Sequence, residues 1–196
     1  MPPPLILASS SPRRRALLAD LTSAFIATDI DETPVPNEEP ATYVERLAVA
    51  KATTAMVTSS AESAIIAADT CVALDQLILG KPSSEAQAAQ MLRALSGRDH
   101  DVFTGVAVIN TDGATRSCVV HTIVTFNDLS QADIAWYVAT GEPMDKAGAY
   151  GIQGKGGVLV ERINGSASNV VGLPMVETMQ LLTSAGLNVA ALRSQS

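Results

Sequence analysis

Short apolar runs alternate with helical periodicities along the first half of this chain, and that alternation constrains its fold more than any other feature. Leu5-Ile6-Leu7-Ala8 is too short for a helix and reads as a buried strand. Ser9-Ser10-Ser11-Pro12 breaks it. Ser11 suits an N-cap and Pro12 the first helical position, which predicts a helix from Arg13 to Leu21. A short strand at 25–28 precedes an acidic, proline-punctuated loop over 29–40. Residues 41–59 carry Val44, Leu47, Ala48, Ala52 and Ala55 at helical spacing. Residues 63–74 read as a strand with Asp69-Thr70 inside it or at its end. A brief strand at Leu77-Ile78-Leu79 leads into the turn Gly80-Lys81-Pro82, and a helix over 84–96 ends at Gly97. The second half changes character. Segments 102–109 and 115–126 are β-rich and flank Asn110-Thr111-Asp112-Gly113, a hairpin signal. Ser130 caps a helix to Thr140, a strand is predicted over 158–163, and a last helix runs over 174–185 to Gly186. Strand–helix alternation followed by a hairpin predicts an α/β fold with a mixed sheet. The 196 residues read as a single domain, 1–196, with a frayed tail at about 190–196. No internal repeat is present.

Charge narrows the function classes. Thirteen Lys and Arg oppose twenty Asp and Glu, a net charge of −7. Such a balance excludes a general basic face for duplex DNA, and only 4% aromatic residues argue against base stacking along single strands. No nucleic-acid partner is expected. Three of the thirteen cations are nonetheless consecutive, Arg13-Arg14-Arg15, which suits a small polyanion. Cys71 and Cys118 form no CxxC pair, so a thiolate zinc site is excluded. Apolar runs are too short for a membrane span, and Met1-Pro2-Pro3-Pro4 does not read as a signal peptide. The expected setting is the cytoplasm, with no membrane partner.

Several constellations could carry chemistry. Ser9-Ser10-Ser11-Pro12-Arg13-Arg14-Arg15 places hydroxyls and guanidinium forks at a helix start, a combination suited to a phosphate chain. It is neither a Walker A loop nor a dinucleotide-binding loop, and a capped helix with solvated arginines accounts for it equally well. Asp69 at the end of a buried strand needs a partner, a metal or a function. Glu32, Glu38 and Glu39 fall in the proline loop, Lys51 in an alanine-rich helix and Lys81 in a turn; each is also compatible with solvated surface. His100 sits in the polar stretch Arg98-Asp99-His100-Asp101, and neither histidine has metal-site spacing. Any bound metal is expected to take oxygen ligands, which favours Mg²⁺ or Mn²⁺. Residues 141–157 hold six of the thirteen glycines together with Glu142, Asp145, Lys146, Tyr150 and Gln153. That mixture reads as a shaped loop in which backbone approaches a ligand.

Taken in order, these motifs resemble one family. Leu7-Ala8-Ser9-Ser10-Ser11-Pro12-Arg13-Arg14, Ala68-Asp69-Thr70, Leu79-Gly80-Lys81-Pro82 and Thr104-Gly105-Val106 are followed by 141–154, Gly-Glu-Pro-Met-Asp-Lys-Ala-Gly-Ala-Tyr-Gly-Ile-Gln-Gly. Val170-Val171-Gly172-Leu173-Pro174 closes the set. The chain resembles the Maf family of nucleoside triphosphate pyrophosphatases, historically called septum-formation inhibitors, over about residues 5–183. The resemblance implies a long twisted mixed sheet with flanking helices and two lobes around a cleft, as in inosine triphosphate pyrophosphatases. It also implies a divalent cation, Mg²⁺ or Mn²⁺, and a homodimer. Lys146 and Gln153 match the subgroup that prefers dTTP and UTP; the sibling subgroup has Cys and Glu there and prefers 7-methyl-GTP.

Residue by residue, the resemblance makes Asp69 the proton acceptor and links Arg13, Thr70 and Gln153 to substrate selection. Glu32, Lys51 and Lys81 match polar positions of the cleft, and Ser9 and Arg14 fall in the phosphate-binding loop. The expected reaction cleaves a nucleoside triphosphate to monophosphate and pyrophosphate, a housecleaning activity. Glu32 and Asp69 are the expected metal ligands. Two departures stand out: Ala167 replaces a common aromatic, which bears on the cleft rim, and Asp75-Gln76 replaces a more usual Asp-Gly turn. The alternatives are a non-catalytic nucleotide-binding regulator of cell division and an inosine or xanthosine triphosphate pyrophosphatase.

Overall fold

A computed structural model describes residues 2–60 and 62–194. Seven strands form one mixed sheet: β1 (Leu5–Ala8), β2 (Ala24–Ile26), β3 (Ala64–Leu74), β4 (Leu77–Leu79), β5 (Asp99–Ile109), β6 (Thr115–Phe126) and β7 (Val160–Asn164). Their order is β2-β1-β3-β5-β6-β7, with β4 hydrogen-bonded to β3. β1 runs parallel to both β2 and β3, whereas β4 on β3 and β7 on β6 are antiparallel. The helices are α1 (Pro12–Leu17), α2 (Pro40–Thr58), α3 (Glu85–Leu95), α4 (Gln131–Ala139), α5 (Ala167–Val171), α6 (Met175–Ser184) and α7 (Val189–Arg193). The expected α/β class with a mixed sheet and flanking helices is the fold observed.

The chain divides into two compact units. One holds Met1–Asp69, Thr104–Val120 and Gly172–Ser196; the other holds Thr70–Phe103 and His121–Val171. In the first unit, period-2 alternation sorts the strand residues into two layers. Ile6, Ala8, Ile65, Ala67, Ala107 and Ile109 pack with Ala48, Ala52 and Ala55 of α2. Leu5, Leu7, Ile66, Ala68, Val106 and Val108 pack in a separate cluster with Leu18, Leu173, Leu182 and Leu192. Each leucine or isoleucine fully buried this way contributes about 2 kcal/mol. Small residues on α2 let it lie close to the sheet, and Gly105 carries this furthest. A Cβ there would fall 2.4 Å from the Val44 carbonyl oxygen. Gly105 thus seats the helix that carries Lys51.

Three local expectations change. α1 stops at Leu17, where Leu18 leaves helical geometry at φ −110° and ψ 13°. The strand expected from residue 102 begins at Asp99, and His100 is buried in it, not in a polar turn. Alternation sends His100 and Val102 inward while Asp99 and Asp101 face outward. The tail expected to fray from about residue 190 is helical to Arg193: Asn188 caps the Ala191 amide and Leu192 is buried in the core. The last part of that expected tail, 195–196, lies outside the described residues. Caps at Ser11 and Ser130 fall where expected, the latter as a capping box with Asp133, and Ser84 caps α3.

The second unit packs α3, α4 and part of 141–159 on its strands around Val72, Leu92, Phe126, Tyr137 and Tyr150. Asp75 and Gln76 join β3 to β4 at φ 51° and 67°, a two-residue turn in the left-handed region. Gln76 fills a position that glycine fills without strain. Residues 142–159 form three short 3₁₀ turns, Glu142–Asp145, Ala147–Ala149 and Gly154–Leu159.

Candidate active site

The first unit concentrates charge just after β1 and at Asp69, midway along β3. Asp69 continues the β3 residues Ile65 and Ala67 that face α2, and it meets Lys51 from that helix. The Lys51 Nζ lies 2.5 Å from Asp69 Oδ1 and 2.6 Å from Glu32 Oε1. Asp69 and Lys51 are buried, at 7% and 8% exposure, so the pair is shielded from bulk water. Glu32 is more open and comes from the proline loop. That loop is tied to α2 at two places. The Tyr43 hydroxyl donates to the Glu32 carbonyl at 2.9 Å. Arg46 forms a two-pronged pair with Glu38 at 2.7 and 2.8 Å, and Arg46 Nη2 donates to the Thr33 carbonyl. Glu38 therefore anchors the loop and is not a solvated acid.

The serine–arginine motif supplies the cations, with a different task for each. Ser9 is buried, its hydroxyl accepts from the Ser11 amide, and its carbonyl accepts from Arg15. The Arg15 guanidinium lies 3.7 Å above the Phe25 ring, so Arg15 braces the loop. Arg14 Nε donates to the Gly172 carbonyl at 2.7 Å. Gly172 has φ 117°, a backbone angle that glycine adopts without strain. The Val-Val-Gly-Leu-Pro motif thus acquires a task that its sequence did not reveal. Burial pulls the Arg14 guanidinium below its ordinary pKa; Asp69 and Glu32 oppose that shift and Arg13 adds to it. Those electrostatic ties bring Arg13, Arg14, Glu32 and Asp69 into one neighbourhood with Lys51.

Glu32 and Asp69 converge on a single ammonium, so both present oxygens where positive charge is favoured. This donor set fits Mg²⁺, which is commonly held by one or two carboxylates and completes its shell with water and substrate phosphates. Among the described residues no group of three or more His, Cys, Asp or Glu could hold a metal by itself.

The remaining expected residues belong to the second unit. Thr70 follows Asp69 on β3, and strand alternation directs it to the opposite face. Lys81 and Gln153 are exposed. The turn at Lys81 and the segment before Gln153 are joined, since the Gly148 amide donates to the Gly80 carbonyl at 3.1 Å. Most of the close glycine approaches in 148–157 are internal. A Cβ at Gly148 would lie 2.8 Å from Val72, and one at Gly151 2.6 Å from the Lys146 stem. At Gly156 it would lie 2.4 Å from the Gly151 carbonyl and 2.5 Å from the Tyr137 hydroxyl. These glycines let the segment pack closely on its own neighbours. Ala167 is exposed at the start of α5.

Comparison with known proteins identifies the family. The model of the family described as Maf-like protein matches residues 4–185, and the chain belongs to that family. A protein of Shewanella oneidensis named dTTP/UTP pyrophosphatase is 52% identical over 192 residues, covering 93% of this chain and 98% of that protein. One of the same name from Myxococcus xanthus is 54% identical over 186 residues, covering 93% of each. A third, from Pectobacterium atrosepticum, is 50% identical over 192 residues, covering 97% of this chain and 95% of its own. Among solved structures, the Staphylococcus aureus Ham1 protein aligns over 97% of this chain and 94% of its own, with a TM-score of 0.49 and 12% identity.

Proposed function

We propose that this chain is a nucleoside triphosphate pyrophosphohydrolase that converts dTTP and UTP to the monophosphate and pyrophosphate, a housecleaning enzyme. The observation that carries the reading is Lys51 bridging Glu32 and Asp69 beside Arg13 and Arg14. A carboxylate pair so close to arginines is costly for a plain anion-binding site but suits hydrolysis of a polyphosphate. The close relatives named dTTP/UTP pyrophosphatase support the substrate class.

In the proposed reaction, water bonds to the α-phosphorus and the bridge to the β-phosphate breaks, so pyrophosphate leaves with the bonding electrons. Asp69 takes the proton of the attacking water. Its ion pair with Lys51 is made through Oδ1, which leaves Oδ2 for that task. Lys51 fixes the carboxylate in place and keeps Glu32 beside it. Arg13 and Arg14 grip phosphate oxygens, and Ser9 shapes the loop that presents them; Lys81 is assigned to the cleft by the family resemblance alone. Glu32 and Asp69 would hold the divalent cation, which when bound supplies charge neutralisation on the phosphates. Gln153 carries one acceptor and two donors, a match for the mixed edge of uracil or thymine. Thr70 is assigned to substrate selection by the family resemblance alone.

We place the enzyme in the cytoplasm as a homodimer, the latter resting on the family resemblance. No helix among the described residues is long and apolar enough to cross a membrane. The test is pyrophosphate release from UTP, dTTP, CTP, GTP, 7-methyl-GTP and ITP, with and without Mg²⁺. Release from UTP and dTTP that requires the metal is the expected result. Binding of these nucleotides without turnover overturns the reading in favour of a regulator.

A further inference from the structure

Residues 141–157 have little regular structure to hold them, yet Gln153 can read a base only if its backbone is fixed. The fixing point is one side chain at the start of the segment. Glu142 Oε1 accepts from the Tyr137 hydroxyl at 3.0 Å and from the Gly156 amide at 3.1 Å. Its Oε2 accepts from the Lys155 amide at 3.0 Å. The Tyr137 hydroxyl in turn accepts from the Gly151 amide at 3.1 Å. Three backbone amides, at 151, 155 and 156, thus hang on a single carboxylate–phenol pair, and they bracket Gln153. Tyr137 is fully buried in α4 and cannot follow a shift of the loop. Glu142 itself is held from behind, because Lys146 Nζ donates to its carbonyl at 3.1 Å.

Close packing makes the arrangement rigid. A Cβ at Gly154 would lie 3.0 Å from Glu142 Oε2, and the Lys146 stem lies against Gly151. Burial pushes the Glu142 carboxyl up, but the Gly156 and Lys155 amides, the Tyr137 hydroxyl and Lys146 outweigh it and hold it below the ordinary glutamate range. The carboxylate is therefore ionised at neutral pH, the state in which both oxygens accept.

We propose that Glu142, acting through Tyr137 and the amides of Gly151, Lys155 and Gly156, is the positioning residue that sets Gln153 for base selection. The inference rests on the reading of Gln153 given above. Neither Glu142 nor Tyr137 touches substrate in this account. Their loss acts on the choice among nucleotides and on KM more than on kcat for the preferred one.

The experiment compares Glu142→Gln, Tyr137→Phe and Gln153→Glu by the ratio of kcat/KM for UTP to that for GTP, together with amide hydrogen exchange over 151–156. The amide nitrogen of Glu142→Gln cannot accept, so at least one backbone donor is released. The expected result is a fall in the UTP/GTP ratio of about tenfold, the worth of one hydrogen bond to a charged group. Exchange at Lys155 or Gly156 accelerates, and kcat on UTP changes less than KM. Tyr137→Phe keeps the ring in the core and releases the Gly151 amide, so it moves the ratio the same way even if Glu142→Gln folds poorly. If Gln153→Glu shifts the ratio and neither Glu142→Gln nor Tyr137→Phe does, the positioning role is overturned and the reading of Gln153 stands. If Gln153→Glu also leaves the ratio unchanged, the reading of Gln153 falls and the inference falls with it.

Discussion

The charged cluster around Lys51 and the glycine-rich segment 141–157 are built in opposite ways. Lys51 and Asp69 project from a long helix and a central strand, and each is anchored by the packing of its whole element. The segment has three short turns, and its backbone amides converge on one carboxylate. In the cluster the charges meet each other. In the segment a side chain replaces the hydrogen bonds that a strand or helix would have supplied. The lesson is that the two tasks separate. Rigid elements hold the groups proposed to break the phosphate bond, whatever the base. A locally tied segment of the second unit holds the group proposed to choose the base.

The largest effect expected from breaking the contrast comes from the cluster. Lys51→Met removes the ammonium that pairs with both Glu32 and Asp69 and takes the ion-pair partner from the buried Asp69. Breaking such a pair costs about 4 kcal/mol, read as a lower urea midpoint at pH 7. Turnover should fall on every nucleotide alike, with the UTP/GTP ratio unchanged. A changed ratio would mean that the cluster also selects the base.

The second unit should respond to acid. Burial pulls His100 down to about 4, against the smaller opposing pulls of Asp101, the Arg98 backbone and Asp99. The unfolded chain binds this proton near pH 6.5, whereas the folded chain resists it until about pH 4. Stability is therefore full above pH 6.5 and declines as the pH falls towards 4, by about 3 kcal/mol over the window. Urea unfolding at pH 7, 5.5 and 4 measures it, and His100→Gln should flatten the slope. An equal slope in the variant removes His100 as the source. His100 Nε2 pairs with the Tyr150 hydroxyl at 2.8 Å, directly before Gly151, so the acid response reports on the base of the segment.

Much of this layout was legible in the sequence, for physical reasons that differ by element. Strand alternation and serine caps are local, which is why β1, α2, α3 and the start of α4 fall where expected. Asp69 stood out because a carboxylate at the end of an apolar strand demands a partner. That the partner is Lys51, eighteen residues away, is a tertiary fact. Arg14 on Gly172 spans 158 residues and left no local signal beyond a glycine in a motif. Glu142 was visible only as one polar residue among glycines. Its contacts to Tyr137, Lys155 and Gly156 appear once the segment folds back on α4. The short helices α5 and α7 carry too few residues for periodicity to reveal them.

The most direct test of the account is turnover of UTP by Asp69→Asn, measured as pyrophosphate release beside the wild-type chain with circular dichroism confirming the fold. Asparagine keeps the shape but cannot take the proton of the attacking water. The account predicts a loss of about 10³-fold in kcat with the fold intact. Near-normal release from the folded variant would contradict it, because the proton acceptor would then have to be another group.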